Sequence, residues 1–266
     1  MRCVAITGAA GRIGRSIRAG LRERHALRLL DLAAQEPAGA HETVMRVDVA
    51  DVDAVEKAIA GSDAVLHLAA IPEEAPFEEL VEPNFVAPYA VFEGARRAGV
   101  ARVLFASSNH VTGFYPRDVT TSVDDQLRPD TFYGVSKAYG ELLGRMYHDK
   151  WGLEVACLRI GAFRERPTSI SQLSLWLSPR DCLQLVERCL EIPHLGYTIV
   201  YGISANDRSW WSDEAAKRIG YEPRDNAEVF AAEIEADGPE FEEGSRAARL
   251  QGADFIDVDP THPDAV

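Results

Sequence analysis

The chain has 266 residues, and its 28 lysines and arginines against 42 aspartates and glutamates give a formal net charge of −14. This negative charge argues against a nucleic-acid partner. With 46% hydrophobic and 26% charged residues, the composition is that of an ordinary globular protein and excludes the collagen-like, repeat and disordered classes. We therefore expect one domain, residues 1–266, with a sizeable core.

The four cysteines form no CxxC pair and have no histidine at metal-ligand spacing, so we predict neither a metal site nor a disulfide framework. No apolar run reaches the roughly 18 residues of a membrane span. A strand-like pattern starts at Arg2, so we expect no room for a signal peptide. These observations predict a cytoplasmic protein without a membrane partner.

Short β-forming runs alternate with amphipathic helical stretches along the chain. The predicted strands are residues 3–7, 27–31, 43–48, 64–68, 103–107, 154–159 and 197–201. The predicted helices between them are residues 12–22, 52–60, 84–98 and 133–151. Strands that are apolar on both faces and separated by helices are typical of a parallel sheet covered on both sides. The expected fold class is therefore α/β, a Rossmann-type doubly wound parallel sheet.

The last part of the chain is expected to form a small substrate-binding portion. We place the substrate-binding elements mainly in residues 162–235. Residues 236–266 carry many acids and few bases, so we predict that they form a solvated acidic face or tail. Residues 114–131, rich in Asp, Pro and Thr, are predicted to form a loop over the carboxyl edge of the sheet.

A glycine-rich turn follows the first predicted strand. Gly8, Gly11 and Gly14 form a GxxGxxG run that opens the first helix, with Arg12 and Ile13 inside it. Gly8 permits a tight turn, Gly11 lets the backbone approach a pyrophosphate, and Gly14 lets helix and strand pack closely. The helix N-terminus supplies N–H donors and a positive dipole. Strand, turn and helix in this order predict dinucleotide binding.

Asp31 ends the second predicted strand, where a carboxylate can accept both hydroxyls of an adenosine ribose and would repel a 2′-phosphate. This favours NAD over NADP, although Arg12 is placed where a base could bind that phosphate. Further cofactor contacts are predicted at strand ends, at Leu32, Asp48, Val49, Leu68, Ala69 and Ala70. Asp48 could equally cap the helix that follows, and Ala69 and Ala70 could simply be tight packing.

Tyr133 and Lys137, in YGVSK, lie four residues apart and therefore on the same face of one helix. A nearby ammonium and a cationic nicotinamide would favour the phenolate and bring the tyrosine pKa, ordinarily about 10, toward neutral pH. Ser108 follows the fifth predicted strand, at the edge where doubly wound sheets bind ligands, and can donate a hydrogen bond to a reacting oxygen.

TGAAGRIG, Asp31, Ser108 and YGVSK occur in the order typical of the short-chain dehydrogenases/reductases, and the chain resembles their extended subclass over about residues 2–225. FASSNHVTGFYP at residues 105–116 and YGISANDRSWW at residues 201–211 make it similar to the bacterial uronate dehydrogenases. The resemblance implies that Tyr133 is the general base, that Lys137 binds the nicotinamide ribose and tunes Tyr133, and that Ser108 positions the substrate hydroxyl.

The resemblance also implies further site residues. Those beside the cofactor would be Asn84, Ile160 and Phe163. Those around the sugar would be Asn109, His110, Ala162, Arg164 and Ser171. Ser171 stands where the family carries an arginine for the substrate carboxylate, so Arg164 or Arg166, or Ser171 with backbone amides, is expected to replace it. Ala162 and Pro72 stand where small hydroxyl side chains are expected.

Together these features predict an NAD-dependent dehydrogenase that oxidises a cyclic hexuronic acid, D-galacturonate or D-glucuronate, at the anomeric carbon to the aldarolactone. An NAD-dependent sugar epimerase or dehydratase of the same superfamily is the first alternative. A non-catalytic dinucleotide-sensing protein is the second, and YGVSK argues against it. Because the superfamily usually forms homo-oligomers, we expect one here.

Overall fold

The computed structural model describes residues 1–259, and within that range it contains nine strands and ten α-helices. The strands are β1 (Arg2–Thr7), β2 (His25–Asp31), β3 (Glu42–Arg46), β4 (Ala64–His67), β5 (Arg102–Ser108), β6 (Glu154–Ile160), β7 (Ala162–Phe163), β8 (Trp176–Leu177) and β9 (Tyr197–Gly202). The helices are α1 (Arg12–Arg22), α2 (Val52–Ile59), α3 (Phe77–Leu80), α4 (Ala87–Ala98), α5 (Phe132–Trp151), α6 (Gln172–Leu175), α7 (Pro179–Glu191), α8 (Glu214–Ile219), α9 (Ala231–Glu235) and α10 (Arg246–Arg249).

Seven of these described strands form one parallel sheet in the order β3-β2-β1-β4-β5-β6-β9. The order runs outward in both directions from β1, which is the doubly wound arrangement. The predicted Rossmann-type fold class is therefore confirmed. The short strands β7 and β8 pair separately beyond the end of β6.

Alternation along β1 shows why both faces of the sheet are covered. Val4 and Ile6 pack with Ile17 of α1 and Leu185 of α7, whereas Ala5 packs on the opposite face against α2, α4 and α5. Every residue of β4 and β5 is buried, as expected for central strands of a parallel sheet. The core therefore consists of two apolar layers, one on each side of the sheet.

Helix α5, which carries the YGVSK segment, has well-defined ends. The hydroxyl of Thr131 accepts a hydrogen bond from the backbone N–H of Gly134 at 2.9 Å and caps the N-terminus. Gly152 ends the helix in the left-handed conformation, with φ of 71°. Between these ends, Tyr133 and Lys137 project from the first turns toward the carboxyl edge of the sheet, where both line a cleft.

The structure corrects the expectation of a solvated C-terminal segment. Residues 236–257, here called the C-terminal strap, return to the sheet edge, and Leu250 forms an antiparallel bridge with Pro116. Gln251 is 1% exposed, and Ala247 and Ile256 are buried, because this stretch carries apolar side chains among its acids. Residues 260–266 of the predicted acidic segment lie outside the described residues.

The side-chain amide of Gln251 joins the strap to the loop after β5. Its partners are the carbonyls of Pro116 and Val119, the hydroxyl of Thr121 and the indole N–H of Trp211. This amide uses both its donors and its acceptor in a buried setting, where unpaired groups are costly. Gln251 therefore positions the end of the strap together with the backbone hydrogen bonds between residues 113–117 and 249–252.

Within residues 1–259, no helix is long and apolar enough to cross a membrane.

Candidate active site

The glycine turn sits between β1 and the beginning of α1. Gly8 has a φ of +69°, and a Cβ there would lie 2.6 Å from the backbone nitrogen of Ala69. A Cβ on Gly14 would lie 2.7 Å from the carbonyl oxygen of Ala9. Gly11 precedes α1 without any side-chain cap, so the first N–H groups of the helix keep no side-chain partner there. This is the geometry expected for a backbone that receives a pyrophosphate.

Asp31 lies at the end of β2, beside this turn. One carboxylate oxygen accepts a hydrogen bond from the N–H of Ala10 and the other from the N–H of Ala33, both at 2.9 Å. Each carboxylate oxygen has a further lone pair, so the group can still accept two ribose hydroxyls. Leu32, next to it, is 54% exposed and covers none of the core. The residues at this end fit the adenosine half of a dinucleotide.

The structure excludes one of the two interpretations of Asp48. Its carboxylate accepts a hydrogen bond from the N–H of Ala50 at 2.9 Å, which is a local turn, and its side chain is exposed. Helix α2 is instead capped by Asp51, which accepts from the N–H groups of Asp53 and Ala54. Asp48 therefore does not cap the helix.

A cleft of about 770 Å³ runs along the carboxyl edge of the sheet from the glycine turn to the C-terminal strap. The predicted site residues that line it are Gly8, Gly11, Arg12, Ile13, Gly14, Leu68, Ala70, Ser108, Asn109, His110, Tyr133, Lys137, Ile160, Ala162, Phe163, Arg164 and Ser171. The predicted site residues outside its walls are Asp31, Leu32, Asp48, Val49, Ala69 and Asn84. The cleft thus brings together segments from almost the whole length of the described chain.

Asn84 has a different place from the one predicted. It is 2% exposed, and its amide exchanges hydrogen bonds with the backbone N–H and carbonyl of Ile71, at 2.9 and 3.0 Å. It also donates to the hydroxyl of Ser136 at 3.1 Å. With its donors and acceptor used in this way, Asn84 ties the loop after β4 to α5 instead of reaching the cleft.

Ser108, Tyr133 and Lys137 meet in the middle of the cleft. Ser108 ends β5, and Tyr133 and Lys137 stand one turn apart on α5, as their spacing predicts. The three side chains are 3%, 7% and 5% exposed, so they lie away from bulk water although they line the cleft. The Lys137 ammonium nitrogen lies 5.5 Å from the centre of the Tyr133 ring and 5.4 Å from that of Phe105.

Burial dominates the ionisation of this group. It raises the pKa of Tyr133 to about 12, against the opposing hydrogen bond of the Ser108 hydroxyl, and it lowers the pKa of Lys137 to about 8. The expected lowering of the tyrosine pKa by the lysine is therefore not present in the protein alone. Desolvation disfavours the charged form of each group. The pKa of the phenol therefore lies above its ordinary value, and the pKa of the ammonium lies below its ordinary value.

His110 is held from two sides. Its Nδ1 lies 2.7 Å from a carboxylate oxygen of Asp130, whose side chain is fully buried. Its ring stacks on Phe255 of the C-terminal strap, with ring centres 4.0 Å apart and planes 25° from parallel. A carboxylate that fixes an imidazole in this way sets its orientation. The neighbouring Asn109 is 5% exposed and also lines the cleft.

The sequence prediction missed the contribution of the strap to the cleft. Gly252, Ala253, Asp254 and Phe255 line it, and Ala253 adopts the left-handed conformation with φ of 53°. For alanine this backbone conformation is strained, and such strain often occurs at functional sites. The signal in the sequence was a pair of aromatic residues, Phe241 and Phe255, within a stretch rich in acids.

Ser171 and the nearby arginines have distinct environments. The N–H and hydroxyl of Ser171 both donate to the carboxylate of Glu240, at 2.5 and 2.8 Å. Arg166 forms an ion pair with Glu233 and does not line the cleft, which removes it as a candidate for the substrate carboxylate. The exposed side chain of Arg164 does line the cleft. Of the two arginines considered, Arg164 is therefore the one whose guanidinium can reach a ligand in the cleft.

No group of three or more histidine, cysteine, aspartate or glutamate side chains within residues 1–259 could hold a metal ion. The free cysteines 157, 182 and 189 are buried in the core. Burial raises the pKa of each thiol, so these cysteines are not in the thiolate form that a nucleophile requires.

Comparisons with known proteins agree with this geometry. The sequence pattern of the NAD dependent epimerase/dehydratase family matches residues 4–163. A uronate dehydrogenase of Pseudomonas syringae pv. tomato is 42% identical over 257 residues, which are 96% of this chain and 93% of that protein.

Two solved structures are similar over nearly their whole length. A mutant of the uronate dehydrogenase from Agrobacterium tumefaciens, complexed with NAD, has a TM-score of 0.93 and 40% identity, with 98% of both chains covered. A glucuronic acid dehydrogenase from Chromohalobacter salexigens has a TM-score of 0.94 and 35% identity, and the match covers 100% of this chain and 99% of that one.

Proposed function

The chain belongs to the NAD dependent epimerase/dehydratase family and, within it, to the uronate dehydrogenases, and on this premise we propose that it oxidises a cyclic hexuronic acid with NAD. The substrate is D-galacturonate or D-glucuronate, the reacting atom is the anomeric carbon, and the product is the aldarolactone. The observation that carries this proposal is the meeting of Ser108, Tyr133 and Lys137 in the same cleft as the glycine turn.

The glycine turn and Asp31 fit NAD on steric and electrostatic grounds. A side chain at Gly8 or Gly14 would collide with backbone, so the turn keeps its surface open to a pyrophosphate. Asp31 is fixed by two backbone N–H groups and offers its remaining lone pairs to ribose hydroxyls. Ile160 and Phe163, at the ends of β6 and β7, line the cleft beside Ser108 and provide apolar surface for the nicotinamide ring. The pyrophosphate would thus contact the glycine turn, the adenosine ribose would contact Asp31, and the nicotinamide would contact Ile160 and Phe163.

When bound, NAD supplies the nicotinamide ring that accepts a hydride from C1 and a positive charge that favours the phenolate. Tyr133 takes the proton of the anomeric hydroxyl, while Ser108 donates a hydrogen bond to the same oxygen. Lys137 binds the nicotinamide ribose and stabilises negative charge on Tyr133. Burial of all three groups keeps water away and strengthens these interactions.

The sugar ring would lie against polar and aromatic groups beyond Ser108. His110 and Asn109 offer directional hydrogen bonds to ring hydroxyls, and Phe255 offers an apolar face next to His110. Arg164 is the cation that we assign to the substrate carboxylate, because it lines the cleft and makes no ion pair within residues 1–259. The site would thus bind the hydroxyls of a hexuronate by hydrogen bonds and its carboxylate by an ion pair.

The experiment is the absorbance at 340 nm of the purified protein with NAD and either D-galacturonate or D-glucuronate. We expect rapid NADH formation with the free uronates, and little with NADP or with UDP-glucuronate. An epimerase or dehydratase would instead retain its cofactor through purification and release no net NADH. A dinucleotide sensor would bind NAD and remain silent with every sugar, so either silent result would contradict the proposal.

We further propose that the enzyme acts in the cytoplasm as a homo-oligomer. Large apolar side chains are exposed on neighbouring helices: Tyr89 on α4, and Leu142, Met146 and Trp151 on α5. Exposed apolar clusters of this kind favour association. Light scattering on the purified protein tests this, and a monomeric mass at micromolar concentration would contradict it.

A further inference from the structure

The substrate end of the cleft contains a carboxylate that the proposed reaction does not use. Glu240 of the C-terminal strap lines the cleft, and its two oxygens accept hydrogen bonds from the N–H and hydroxyl of Ser171. Ser171 is 5% exposed, so these two donors are shielded from bulk water. A carboxylate of the chain itself therefore occupies two donors that would otherwise be available to a substrate carboxylate, in addition to Arg164.

Other charged groups lie near this end of the cleft, among them the guanidinium of Arg117, which does not line the cleft but interacts electrostatically with Glu240 and Asp254. Glu73 and Asp254 line the same cleft, from the loop after β4 and from the strap. Among the described lining residues, Arg164 is the one cation at this end, since Arg12 and Arg15 lie in the first turn of α1 and Lys137 lies beside Tyr133. A second anion brought close to Glu240 would be repelled. A hydroxyl brought there would find a charged acceptor, which makes stronger hydrogen bonds than a neutral one.

The orientation of a bound sugar places its far end near this carboxylate. C1 must lie at Tyr133 and Ser108, and the side of the cleft toward the glycine turn is reserved for the dinucleotide. With C1 placed as the proposed function requires, the remainder of the ring would extend to the side that Ser171, Glu240 and Phe255 line. The substituent at that end is a carboxylate in a hexuronate and a hydroxymethyl group, or nothing, in a neutral aldopyranose.

We propose that Glu240 is a specificity-determining residue, which gives the enzyme a further activity on neutral aldopyranoses and weakens its binding of hexuronates. This inference rests on the proposed function, because it uses the same cleft and the same oxidation at C1. In the reaction, the C1–H bond breaks and its hydride reduces NAD to NADH. The proton of the C1 hydroxyl passes to Tyr133, and the sugar is oxidised to an aldonolactone. Glu240 accepts a hydrogen bond from the terminal hydroxyl and stays ionised throughout.

The test compares kcat/KM for D-galacturonate and D-glucuronate with that for D-galactose and D-glucose, in the wild type, Glu240→Gln and Glu243→Gln. Glu243 is an exposed acid of the same strap that does not line the cleft, so its variant makes the same change of net charge elsewhere. We expect wild-type NADH formation with a neutral aldose. Glu240→Gln should raise the ratio of uronate to aldose kcat/KM by about tenfold or more, because it removes a like charge. Glu243→Gln should leave the ratio unchanged.

The outcomes separate the two proposals. If neither class of sugar yields NADH, the proposed function fails and this inference fails with it. If uronates react but no neutral aldose does, or if Glu240→Gln leaves the ratio unchanged, the inference alone is overturned.

A measurement on the wild type alone avoids any effect of the substitution on folding. Repulsion between two carboxylates is screened by salt. Salt screens both the repulsion by Glu73, Glu240 and Asp254 and the attraction by Arg164 and Arg117, but the carboxylates outnumber the guanidiniums. Raising the sodium chloride concentration from 0.05 to 0.5 M (~10-fold) should therefore lower the KM for the uronate and leave that for the neutral aldose unchanged. An uronate KM that rises or stays constant would overturn the role of Glu240.

Discussion

At the cofactor end of the cleft, the walls are the ends of β1 and β4 and the beginning of α1, all within the first 70 residues, and the end of β2 lies outside them. Their positions follow from the backbone hydrogen bonds of the parallel sheet. At the substrate end, the walls come from the end of β5, the start of α5, the loop before α6 and the C-terminal strap. The strap is joined to the loop after β5 by three backbone hydrogen bonds and by buried side chains, of which Gln251 is the most heavily bonded.

This difference in bonding predicts how each end of the cleft responds to amino-acid substitution. A sheet edge tolerates the loss of a single side-chain contact, because many backbone bonds hold it. The substrate end depends on a few buried polar groups, each of which is expensive to leave unpaired. We therefore expect that substitutions in the strap alter sugar binding without altering NAD binding, whereas substitutions in the glycine turn do the reverse.

The largest expected effect is at the junction of the two ends. Tyr133→Phe removes the proposed base and should lower kcat by about 100- to 10,000-fold, with little change in the Kd for NADH. Tyr139→Phe is the matched control, since Tyr139 lies on the same helix, packs against Phe85 and does not line the cleft. A Tyr133→Phe enzyme with near-normal turnover would refute the assignment.

Gly8→Ala tests the cofactor end, with Gly99→Ala as its control. Both glycines have a φ of +69°, but a Cβ on Gly8 would meet the backbone of Ala69 at 2.6 Å, whereas a Cβ on Gly99 would have no atom within 4 Å. Left-handed backbone strain alone should cost about 1–2 kcal/mol at Gly99. Gly8→Ala should cost about 1–3 kcal/mol more, from the collision.

Urea unfolding of both variants measures these free energies, and calorimetry measures the Kd for NAD. We expect weaker NAD binding in Gly8→Ala only. Equal stabilities and equal NAD affinities in the two variants would show that the contact between residue 8 and the backbone of Ala69 does not control folding or NAD binding.

Gln251→Ala tests the substrate end. It leaves the indole N–H of Trp211 and the carbonyls of Pro116 and Val119 without their partner, which should lower the free energy of unfolding by about 2–3 kcal/mol. The KM for the sugar should rise while the Kd for NAD stays constant. Gln126→Ala, at an exposed glutamine of the same loop, should change neither quantity. A parallel loss of NAD affinity in Gln251→Ala would contradict the independence of the two ends.

A smaller effect concerns the charge of Lys137. Burial lowers its pKa from 10.5 to about 8, so between these values the folded protein binds fewer protons than the unfolded chain, and stability rises with pH. Relative to Lys137→Met, the wild type should gain about 1–2 kcal/mol in free energy of unfolding between pH 8 and 9.5. Denaturant unfolding at several pH values measures this difference, and a constant difference would mean that Lys137 titrates normally.

Much of the cofactor end was predictable from sequence because its signals are local. The GxxGxxG run lies between a strand and a helix, and Asp31 follows the next strand, so the spacing alone places them together. Tyr133 and Lys137 were predictable from helical spacing, and Ser108 from the rule that ligands bind at the carboxyl edge of the sheet. Each of these inferences depends only on one strand or helix and on the residues next to it in the sequence.

The strap could not be predicted because its contacts carry no periodic signal. Gln251 bonds to carbonyls about 130 residues earlier in the chain, and nothing in a stretch of acids, alanines and glycines indicates that partner. The pairing of Glu240 with Ser171 is of the same kind. The place of Asn84 also depended on tertiary structure, because its amide hydrogen-bonds to the loop after β4.

The most direct test of the central claim follows the hydrogen at C1. Purified enzyme is incubated with NAD and D-glucuronate or D-galacturonate deuterated at C1, and the reduced cofactor and sugar product are analysed by NMR and mass spectrometry. The account predicts that the deuterium is transferred to C4 of the nicotinamide and that the sugar appears as the aldarolactone without it. Deuterium retained in a rearranged or dehydrated sugar, with no net reduced cofactor, would contradict oxidation at the anomeric carbon.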